Sequence, residues 1–240
     1  MNLKLLFIKV RLKYFPKKAG KYDFNKILKA SGIEVGENTI FYDPNSMSID
    51  RERPWMLKIG DYCKITKGTI ILTHDYSRSV LRRFYGEIIG EAGETVIGNN
   101  VFIGMNSIIL MGTKIGNNVI VGAGSVVSGE IPDNCVIAGN PAKIIRSLED
   151  HYKKRKERSL CEAEIYYRKF KEKYGRRPSV KEMGPFFPLF LERSKDAINR
   201  ENVNVNLNGD DMQDIIECFL KSEPMFENYE RFINYLERDD

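Results

Sequence analysis

Aliphatic residues recur at every sixth position through the middle of the chain. They are Ile97, Ile103, Ile109, Ile115, Val121 and Val127. A glycine follows four of them, and a small or β-branched residue stands four positions after each. A period of six fits neither the 3.6-residue turn of an α-helix nor the two-residue alternation of a strand. The pattern therefore predicts a solenoid whose three-sided coils carry six residues on each side.

The parallel strands of such a solenoid stack about 4.8 Å apart, with the aliphatic side chains inside. The glycine after the aliphatic position is expected to relax the backbone where the chain turns. Counted backwards, the register runs through Ile71, Ile65, Ile59, residue 53, Met47, Phe41 and Val35. Only Arg53 breaks it, and Pro54 follows, so we expect a bulge or loop there. The whole pattern supplies about five coils.

An insertion interrupts this register. Beyond Ile71 the next aliphatic position should be residue 77, but the pattern resumes only at Ile97. The difference predicts a 20-residue loop over about residues 75–95. The loop carries Arg78, Arg82, Arg83, Phe84 and Tyr85.

The two ends of the six-residue repeat divide the chain into three predicted parts. Residues 1–32 form a basic amphipathic N-terminal segment, and residues 33–143 form the solenoid with its insertion. Residues 144–240 form a C-terminal helical region. The predicted fold class is thus an all-β solenoid with an N-terminal amphipathic segment and an α-helical appendage.

Helical spacing of apolar residues sets the expected elements of the C-terminal region. A long helix is predicted over residues 144–175, and two short helices are predicted near residues 210–222 and 224–238. The sequence assigns this region no function.

The composition is that of a folded protein, with 42% hydrophobic and 30% charged residues among 240. The four cysteines have no paired spacing, so they suggest neither a disulfide framework nor a zinc site. A reducing, cytoplasmic compartment is therefore expected. The sequence contains no run of 18 apolar residues, so no membrane-spanning helix is predicted.

Charge is unevenly distributed along the chain. Residues 1–30 carry nine Lys or Arg and one acid, whereas residues 209–240 carry ten acids and three bases. Two interpretations of the N-terminus stay open. It is either a helix packed on the solenoid or a peripheral contact, through residues 1–18, with the anionic inner face of the cell membrane.

The chain has only two histidines, His74 and His151. His74 lies where the solenoid stops and the insertion begins, a position that suits a general base near neutral pH. Taken alone, a single histidine is more often a structural hydrogen-bonding residue. His151 is expected to be a solvated helix residue.

Residues 33–147 resemble the hexapeptide-repeat acyltransferases, which fold as left-handed parallel β-helices. The similarity is greatest to the galactoside, maltose and capsular-polysaccharide O-acetyltransferases. The motifs that carry it are Ile71-Leu-Thr-His-Asp-Tyr-Ser77, Ile97-Gly-Asn-Asn-Val-Phe-Ile-Gly104, Val121-Gly-Ala-Gly-Ser-Val-Val127, Ile131-Pro-Asp-Asn134 and Ala138-Gly-Asn-Pro-Ala-Lys143. The left-handed coiling is implied by this resemblance, since a period of six does not reveal hand.

The resemblance implies a catalytic role for His74. The neutral imidazole would accept the proton of a saccharide hydroxyl as its oxygen attacks the thioester of acetyl-CoA. A backbone N–H near Gly104 and Met105 would donate to the oxyanion. Asp50 and Asp75 are the candidates to orient the base or to contact the acceptor, with Asp50 ranked first.

The resemblance also implies a coenzyme A groove between the subunits of a homotrimer. The matching positions are Gly104, Met105, Ala123, Ser128, Gly129, Lys143 and Arg146. Lys143 and Arg146 would meet phosphate groups, or they are simply the solvated start of a helix. Relatives often carry a small polar residue at position 105 and a lysine at position 129, so one phosphate contact is expected to differ here.

Several other functions are excluded or ranked lower. The zinc-dependent hexapeptide enzymes need three histidines per chain, which this sequence lacks, so no metal is predicted. Mixed Glu and Lys at helical spacing in residues 150–177 favours a solvated helix over nucleic-acid binding. Two alternatives to saccharide O-acetylation remain: xenobiotic acetylation, as of an antibiotic, and a non-catalytic binding or assembly module.

Overall fold

The computed structural model describes residues 3–14, 20 and 22–238. The chain divides into two compact units, one that ends at His151 and one that begins at Tyr152. The first unit contains the solenoid, and the second is helical.

Two helices precede the solenoid, α1 (Leu3–Tyr14) and α2 (Asp23–Ser31). The α2 helix buries Ile27 and Leu28 and ends at Gly32. That glycine adopts φ 99°, a left-handed conformation that a side chain would disfavour.

The solenoid consists of three sheets, here named A, B and C in the order in which the chain visits them. Sheet A contains β1 (Glu34–Val35), β4 (Leu57–Ile59), β7 (Thr95–Ile97), β10 (Lys114–Ile115) and β13 (Glu130–Ile131). Sheet B contains β2 (Ile40–Phe41), β5 (Lys64–Ile65), β8 (Phe102–Ile103), β11 (Ile120–Val121), β14 (Cys135–Gly139) and β15 (Ala142–Ser147). Sheet C contains β3 (Ser48–Ile49), β6 (Ile70–Ile71), β9 (Ile108–Ile109) and β12 (Val126–Val127).

From β1 to β14, each strand pairs in parallel with the equivalent strand of a neighbouring coil. Ile97 pairs with Ile115, and Ile103 pairs with Val121, as the period of six requires. The inward aliphatic side chains stack in one core, where Ile103, Ile109 and Val127 are fully buried. The described strands make four complete coils and the first two strands of a fifth.

Glycine is required after the aliphatic positions for a different reason from the one expected. Gly98 and Gly104 are not among the residues with positive φ. A Cβ on Gly98 would instead lie 2.6 Å from the carbonyl oxygen of Gly116, and one on Gly104 would lie 2.5 Å from the nitrogen of Ala123. The expectation of a relaxed turn is therefore wrong, because close approach of the next coil is what excludes a side chain.

Replacing Gly98 by alanine is expected to destabilise the solenoid by about 2 kcal/mol, since backbone atoms of the next coil cannot move aside cheaply. Gly90 is the matched control, because its Cβ would meet nothing within 4 Å. Chemical denaturation of both variants measures the difference. Equal stabilities of Gly98→Ala and Gly90→Ala would contradict the argument.

The first coil departs from the predicted register. Ile49, not Met47, pairs with Ile71 in sheet C, and residue 53 occupies no strand. The reason is local, because short 3-10 turns at Pro44–Ser46 and Pro54–Met56 lengthen the first coil. The predicted inward strand position at Met47 is therefore wrong, although Met47 still packs against the core. The loop expected at Arg53 is present, because residue 53 lies in no strand and a 3-10 turn follows it.

The insertion leaves the solenoid after β6 and returns at Gly93, whose N–H donates to the carbonyl of Thr73. It contains one helix, α3 (Arg78–Tyr85), which buries none of its residues.

The segment that follows the last coil differs from the prediction. Residues 142–147 form strand β15, which runs antiparallel to β14, and helix α4 (Leu148–Tyr174) begins only after it. Ser147 marks the change, because its hydroxyl accepts the N–H of Asp150 at 3.0 Å. Pairing with β14 overrides the helical spacing of residues 144–147.

The C-terminal unit has its own core. Beyond α4 it contains a 3-10 segment (Lys181–Leu189), α5 (Lys195–Glu201), α6 (Met212–Lys221) and α7 (Tyr229–Leu236). The predicted short helices near 210–222 and 224–238 correspond to α6 and α7. Aromatic rings dominate the packing, with Phe190 stacked on Phe232 at 4.8 Å between centroids.

A polar cluster joins the ends of this unit. The Glu237 carboxylate accepts hydrogen bonds from Tyr167 and Arg177, and from Lys171 at 3.0 Å. These bonds lower the pKa of Glu237 to about 2, and burial together with Glu237 raises the pKa of Tyr167 to about 12.

Replacing Glu237 by glutamine is expected to destabilise the C-terminal unit by about 2 kcal/mol at pH 7, because three donors lose a charged acceptor. The folded-state pKa of Glu237 is depressed, so its contribution is present above about pH 4.5 and is lost as the pH falls towards 2. The stability difference between wild type and variant should therefore shrink over that range. Thermal unfolding at several pH values measures it, and a pH-independent difference would contradict the assignment.

Candidate active site

Strand pairing brings His74 next to Asp50. Ile49 and Ile71 are partners in sheet C, and the chain leaves both strands at the same edge, where it passes from sheet C to sheet A. We call this the C–A edge; it is formed by residues 50–56, 72–94, 110–113 and 128–129. Asp50 and His74 follow their strands by one and three residues, so the register alone makes them neighbours.

The two side chains are in direct contact. His74 Nδ1 lies 2.5 Å from Asp50 Oδ2, and the Asp50 and His74 side chains are 5% and 15% exposed. The same carboxylate accepts the hydroxyl of Thr73 and, at 3.2 Å, its N–H. The other oxygen accepts the N–H of Glu52 at 2.9 Å. Asp50 is thus held by neighbours on both sides.

The hydrogen bonds keep Asp50 ionised. Burial alone would raise its pKa, but the bonds from Thr73, the Glu52 N–H and His74 outweigh burial and lower the pKa below its usual value. A carboxylate can only accept a hydrogen bond, so neutral His74 must carry its proton on Nδ1. This assignment leaves the lone pair on Nε2, the atom that a general base needs free.

Glu52 is a site residue that the sequence did not indicate. Its Oε2 lies 3.4 Å from His74 Nε2, and its side chain is 77% exposed. It therefore lies against Nε2, on the side of the ring away from Asp50, and as an exposed side chain it can move aside. No motif marks it, and only its position two residues after Asp50 could have suggested it.

Asp75 points into the insertion instead. Its Oδ1 accepts the N–H of Ser77 at 2.8 Å, at the start of α3, and the side chain is exposed. Hydrogen bonding to Ser77 lowers the pKa of Asp75. The structure thus brings Asp50, and not Asp75, against Nδ1 of His74.

The expected coenzyme A positions lie at several places on the solenoid. Gly104, Met105 and Ala123 occupy the B–C edge, formed by residues 42–47, 66–69, 104–107 and 122–125. There the carbonyl of Met105 accepts the N–H of Gly124 at 2.8 Å, so these positions stack in consecutive coils. Ser128 and Gly129 instead lie on the C–A edge, on the same side as His74.

Lys143 and Arg146 lie on β15, opposite Ala138 and Val136. The alternative interpretation, that they begin a helix, is wrong, because β15 continues to Ser147. Lys143 is exposed and Arg146 is half-buried. Two cations on one strand, next to the last coil, fit a polyanionic group such as a pyrophosphate.

One chain does not bring all the expected residues together. Sheet C separates Gly104 on the B–C edge from the C–A edge where His74 lies. One side of a coil contains about six residues, which is about 20 Å of extended chain. His74 and the Gly104 backbone therefore cannot both act on one acyl group unless a neighbouring subunit supplies one of them.

Over the described ranges, no three His, Cys, Asp or Glu side chains are grouped so as to hold a metal ion. All four cysteines are free. Nor is any helix in the described part of the chain both long and apolar enough to span a bilayer.

Comparison with known proteins identifies the family. A family profile for the bacterial transferase hexapeptide (six repeats) matches residues 94–129. Protein CapG of Staphylococcus aureus is 46% identical over 126 residues, which are 51% of this chain and 70% of CapG. The chain belongs to the hexapeptide-repeat transferase family. This confirms the resemblance to the hexapeptide-repeat acyltransferases.

Two further proteins are similar to this hexapeptide transferase. The putative lipopolysaccharide biosynthesis O-acetyl transferase WbbJ of Escherichia coli (strain K12) is 54% identical over 63 residues, 26% of this chain and 32% of WbbJ. The structure of a galactoside acetyltransferase in complex with coenzyme A is 26% identical, with a TM-score of 0.43. That match covers 64% of this chain and 86% of the galactoside acetyltransferase.

Proposed function

We propose that the protein transfers an acetyl group from acetyl-CoA to a hydroxyl of a saccharide, in the assembly of a surface polysaccharide. The observation that carries this proposal is the partly buried Asp50–His74 pair at the solenoid edge of a hexapeptide transferase. The similarity to WbbJ, a putative O-acetyl transferase of lipopolysaccharide biosynthesis, supports the acceptor class.

In the proposed mechanism, His74 moves one proton. Nδ1–H donates to Asp50, which fixes the ring, and Nε2 accepts the proton of the acceptor hydroxyl. Acetyl-CoA supplies the thioester carbonyl that the acceptor oxygen attacks. His74 then returns its proton to the departing thiolate, so the base is regenerated. Asp50 stabilises the imidazolium while it exists, in the way that a buried carboxylate supports a catalytic histidine in other acyl-transfer enzymes.

The remaining site residues have the roles that the family resemblance implies. The backbone N–H groups near Gly104 and Met105 would donate to the carbonyl oxygen, and Lys143 and Arg146 would bind phosphate groups of the donor. Ala123, Ser128 and Gly129 would line the donor groove.

The separation of His74 from Gly104 supports an oligomer in which each site combines two chains. The family resemblance adds that the oligomer is a homotrimer and that the coils are left-handed. In an oligomer the C–A edge of one chain can face the B–C edge of the next. Light scattering tests this, with three times the 27.7 kDa chain mass as the expected result. The free cysteines suit a reducing, cytoplasmic setting.

A thiol-release assay with acetyl-CoA and a panel of saccharides tests the function. We expect acetyl-CoA cleavage to depend on a saccharide and the product to carry an O-acetyl group. If an antibiotic served as acceptor and saccharides did not, the xenobiotic alternative would be correct. If no acceptor worked and coenzyme A did not bind, a non-catalytic binding or assembly module would be the better description.

A further inference from the structure

Helix α1 exposes one complete apolar face. We call it the α1 stripe; it consists of Leu3, Leu6, Phe7, Val10 and Tyr14. Their spacing of three, four, seven and eleven residues places all five side chains on one side of a helix. They are 81%, 39%, 71%, 43% and 63% exposed. An exposed apolar face of this kind marks an interaction site.

The rotation of α1 is fixed by side chains that lie outside the stripe, one at its margin and others behind it. The Arg11 guanidinium pairs with the carboxylate of Asp23, a residue of α2 that is only 2% exposed. The same carboxylate accepts the Gly20 N–H at 2.7 Å. Leu5 and Ile8 lie on the side of α1 opposite the stripe and are partly buried. Turning the α1 stripe inward would break the pair with Asp23, so the apolar face is held outward.

Cations border the α1 stripe on both margins. In helical projection, Lys4 lies on one side of the stripe, and Lys9 and Lys13 lie on the other. Residues 1–22 contain seven Lys or Arg and neither Asp nor Glu. Among the described side chains, lysines therefore border both margins of the apolar face, and the acidic Asp23 beside it is paired with Arg11.

We propose that α1 lies in the interface of an anionic lipid bilayer, with the α1 stripe among the acyl chains and the lysines at the headgroups. Its 12 residues make a helix of about 18 Å, too short to span a bilayer core of about 30 Å, so it lies in the membrane plane. Leu and Phe bordered by Lys are the side chains with which interfacial helices enter a bilayer; the opposite side of α1 is also apolar, but there Leu5 and Ile8 are partly buried.

The charge pattern favours a membrane over a protein partner. An acidic protein would have to present carboxylates on both sides of a single apolar groove. An anionic headgroup layer is a continuous plane, and it offers negative charge to both margins of the α1 stripe at once. A second copy of this chain would have to supply that acidic groove itself, and this alternative is one outcome of the test below.

Fluorescence provides the direct test, because Trp55 is the only tryptophan. In a Trp55→Phe background, Phe7→Trp places an indole probe in the α1 stripe. Vesicles of phosphatidylglycerol and phosphatidylcholine should shift its emission to shorter wavelength, and brominated acyl chains should quench it. Wild type, whose Trp55 is 69% exposed outside the stripe, is the matched control and should show neither effect. If the indole introduced into the stripe behaves like that of Trp55, the proposal is wrong.

Vesicle co-sedimentation gives the magnitude. Phe7→Asp should weaken vesicle binding at least about tenfold, since it removes an aromatic side chain that the bound helix would bury among the acyl chains. Ile165→Asp on α4 removes another exposed apolar side chain and should leave binding unchanged. Lys4→Gln, Lys9→Gln and Lys13→Gln should each cost about fivefold, and pure phosphatidylcholine should bind poorly.

Circular dichroism of each variant shows that the fold is intact. A different result would be that wild type does not bind anionic vesicles and that Phe7→Asp lowers the mass of the oligomer. The α1 stripe would then join copies of the chain, and the membrane proposal would be overturned.

Discussion

Replacing His74 by alanine is expected to lower kcat for saccharide acetylation by about 10⁴-fold. Among the residues that the structure describes, His74 is the group placed to take the proton of the acceptor, and general base catalysis is worth about 10²–10⁴-fold. The ring is held by Asp50 at 2.5 Å and presents Nε2 outward, so alanine removes the base without removing a buried contact of the core. The measurement is thiol release from acetyl-CoA with an accepted saccharide.

His151→Ala is the matched control, since His151 is the other histidine of the chain and lies on α4. Its turnover should equal that of wild type. The Michaelis constant for acetyl-CoA should be unchanged in His74→Ala, because this residue is not expected to bind the donor. Equal turnover of His74→Ala and wild type would refute the mechanism and leave His74 as a structural residue.

Replacing Asp50 by asparagine is expected to lower kcat by about 10³-fold. A carboxylate holds the proton on Nδ1 of His74, whereas the amide of asparagine can donate to Nδ1 and so favour a proton on Nε2. The base would then be blocked by the wrong tautomer, as when asparagine replaces the buried carboxylate of a serine protease triad. The fall should be in kcat, with the Michaelis constant for acetyl-CoA unchanged.

Nitrogen NMR separates this positioning role from a merely structural one. Only two histidines contribute signals, so the His74 ring nitrogens can be assigned with His151→Ala. Wild type should show the Nδ1–H tautomer, and Asp50→Asn should show the Nε2–H tautomer. Asp75→Asn is the matched control, because Asp75 bonds to Ser77 and should change kcat by less than about threefold. An unchanged tautomer in Asp50→Asn would contradict the role of Asp50.

The depressed pKa of Asp50 also gives a stability test. Its folded-state pKa is below the usual 3.8, so the ionised carboxylate stabilises the fold above that pH, and the contribution is lost as the pH falls through the folded-state value. Asp50→Asn should therefore be less stable than wild type at pH 7, and the difference should shrink in stronger acid.

The register of six correctly placed His74 at the edge of the solenoid, but the resemblance only ranked Asp50 ahead of Asp75 and did not decide between them. In the sequence Asp75 is adjacent to His74, while Asp50 is 24 residues away. In the structure Asp50, not Asp75, contacts His74 Nδ1, because the pairing of β3 with β6 places residues 49 and 71 side by side. Glu52 was missed for the same reason, since its proximity to Nε2 depends on the course of the chain after β3.

The first coil and the last strand show a second limit of pattern reading. The period of six predicted an inward position at Met47, but two 3-10 turns lengthen the first coil and the inward residue of sheet C is Ile49. Residues 144–147 have helical spacing, yet an adjacent strand edge with unpaired backbone groups draws them into β15.

What the sequence by itself determined is the repeat. An aliphatic residue every six positions can be buried only if the chain coils with that period, so Ile97 to Val127 specify the solenoid locally and redundantly. What only the tertiary structure decided is which distant residues meet: Asp50 with His74, Arg11 with Asp23, and the α1 stripe with solvent. These contacts join separate segments, and no local periodicity encodes which segments become neighbours or which side of a helix stays uncovered.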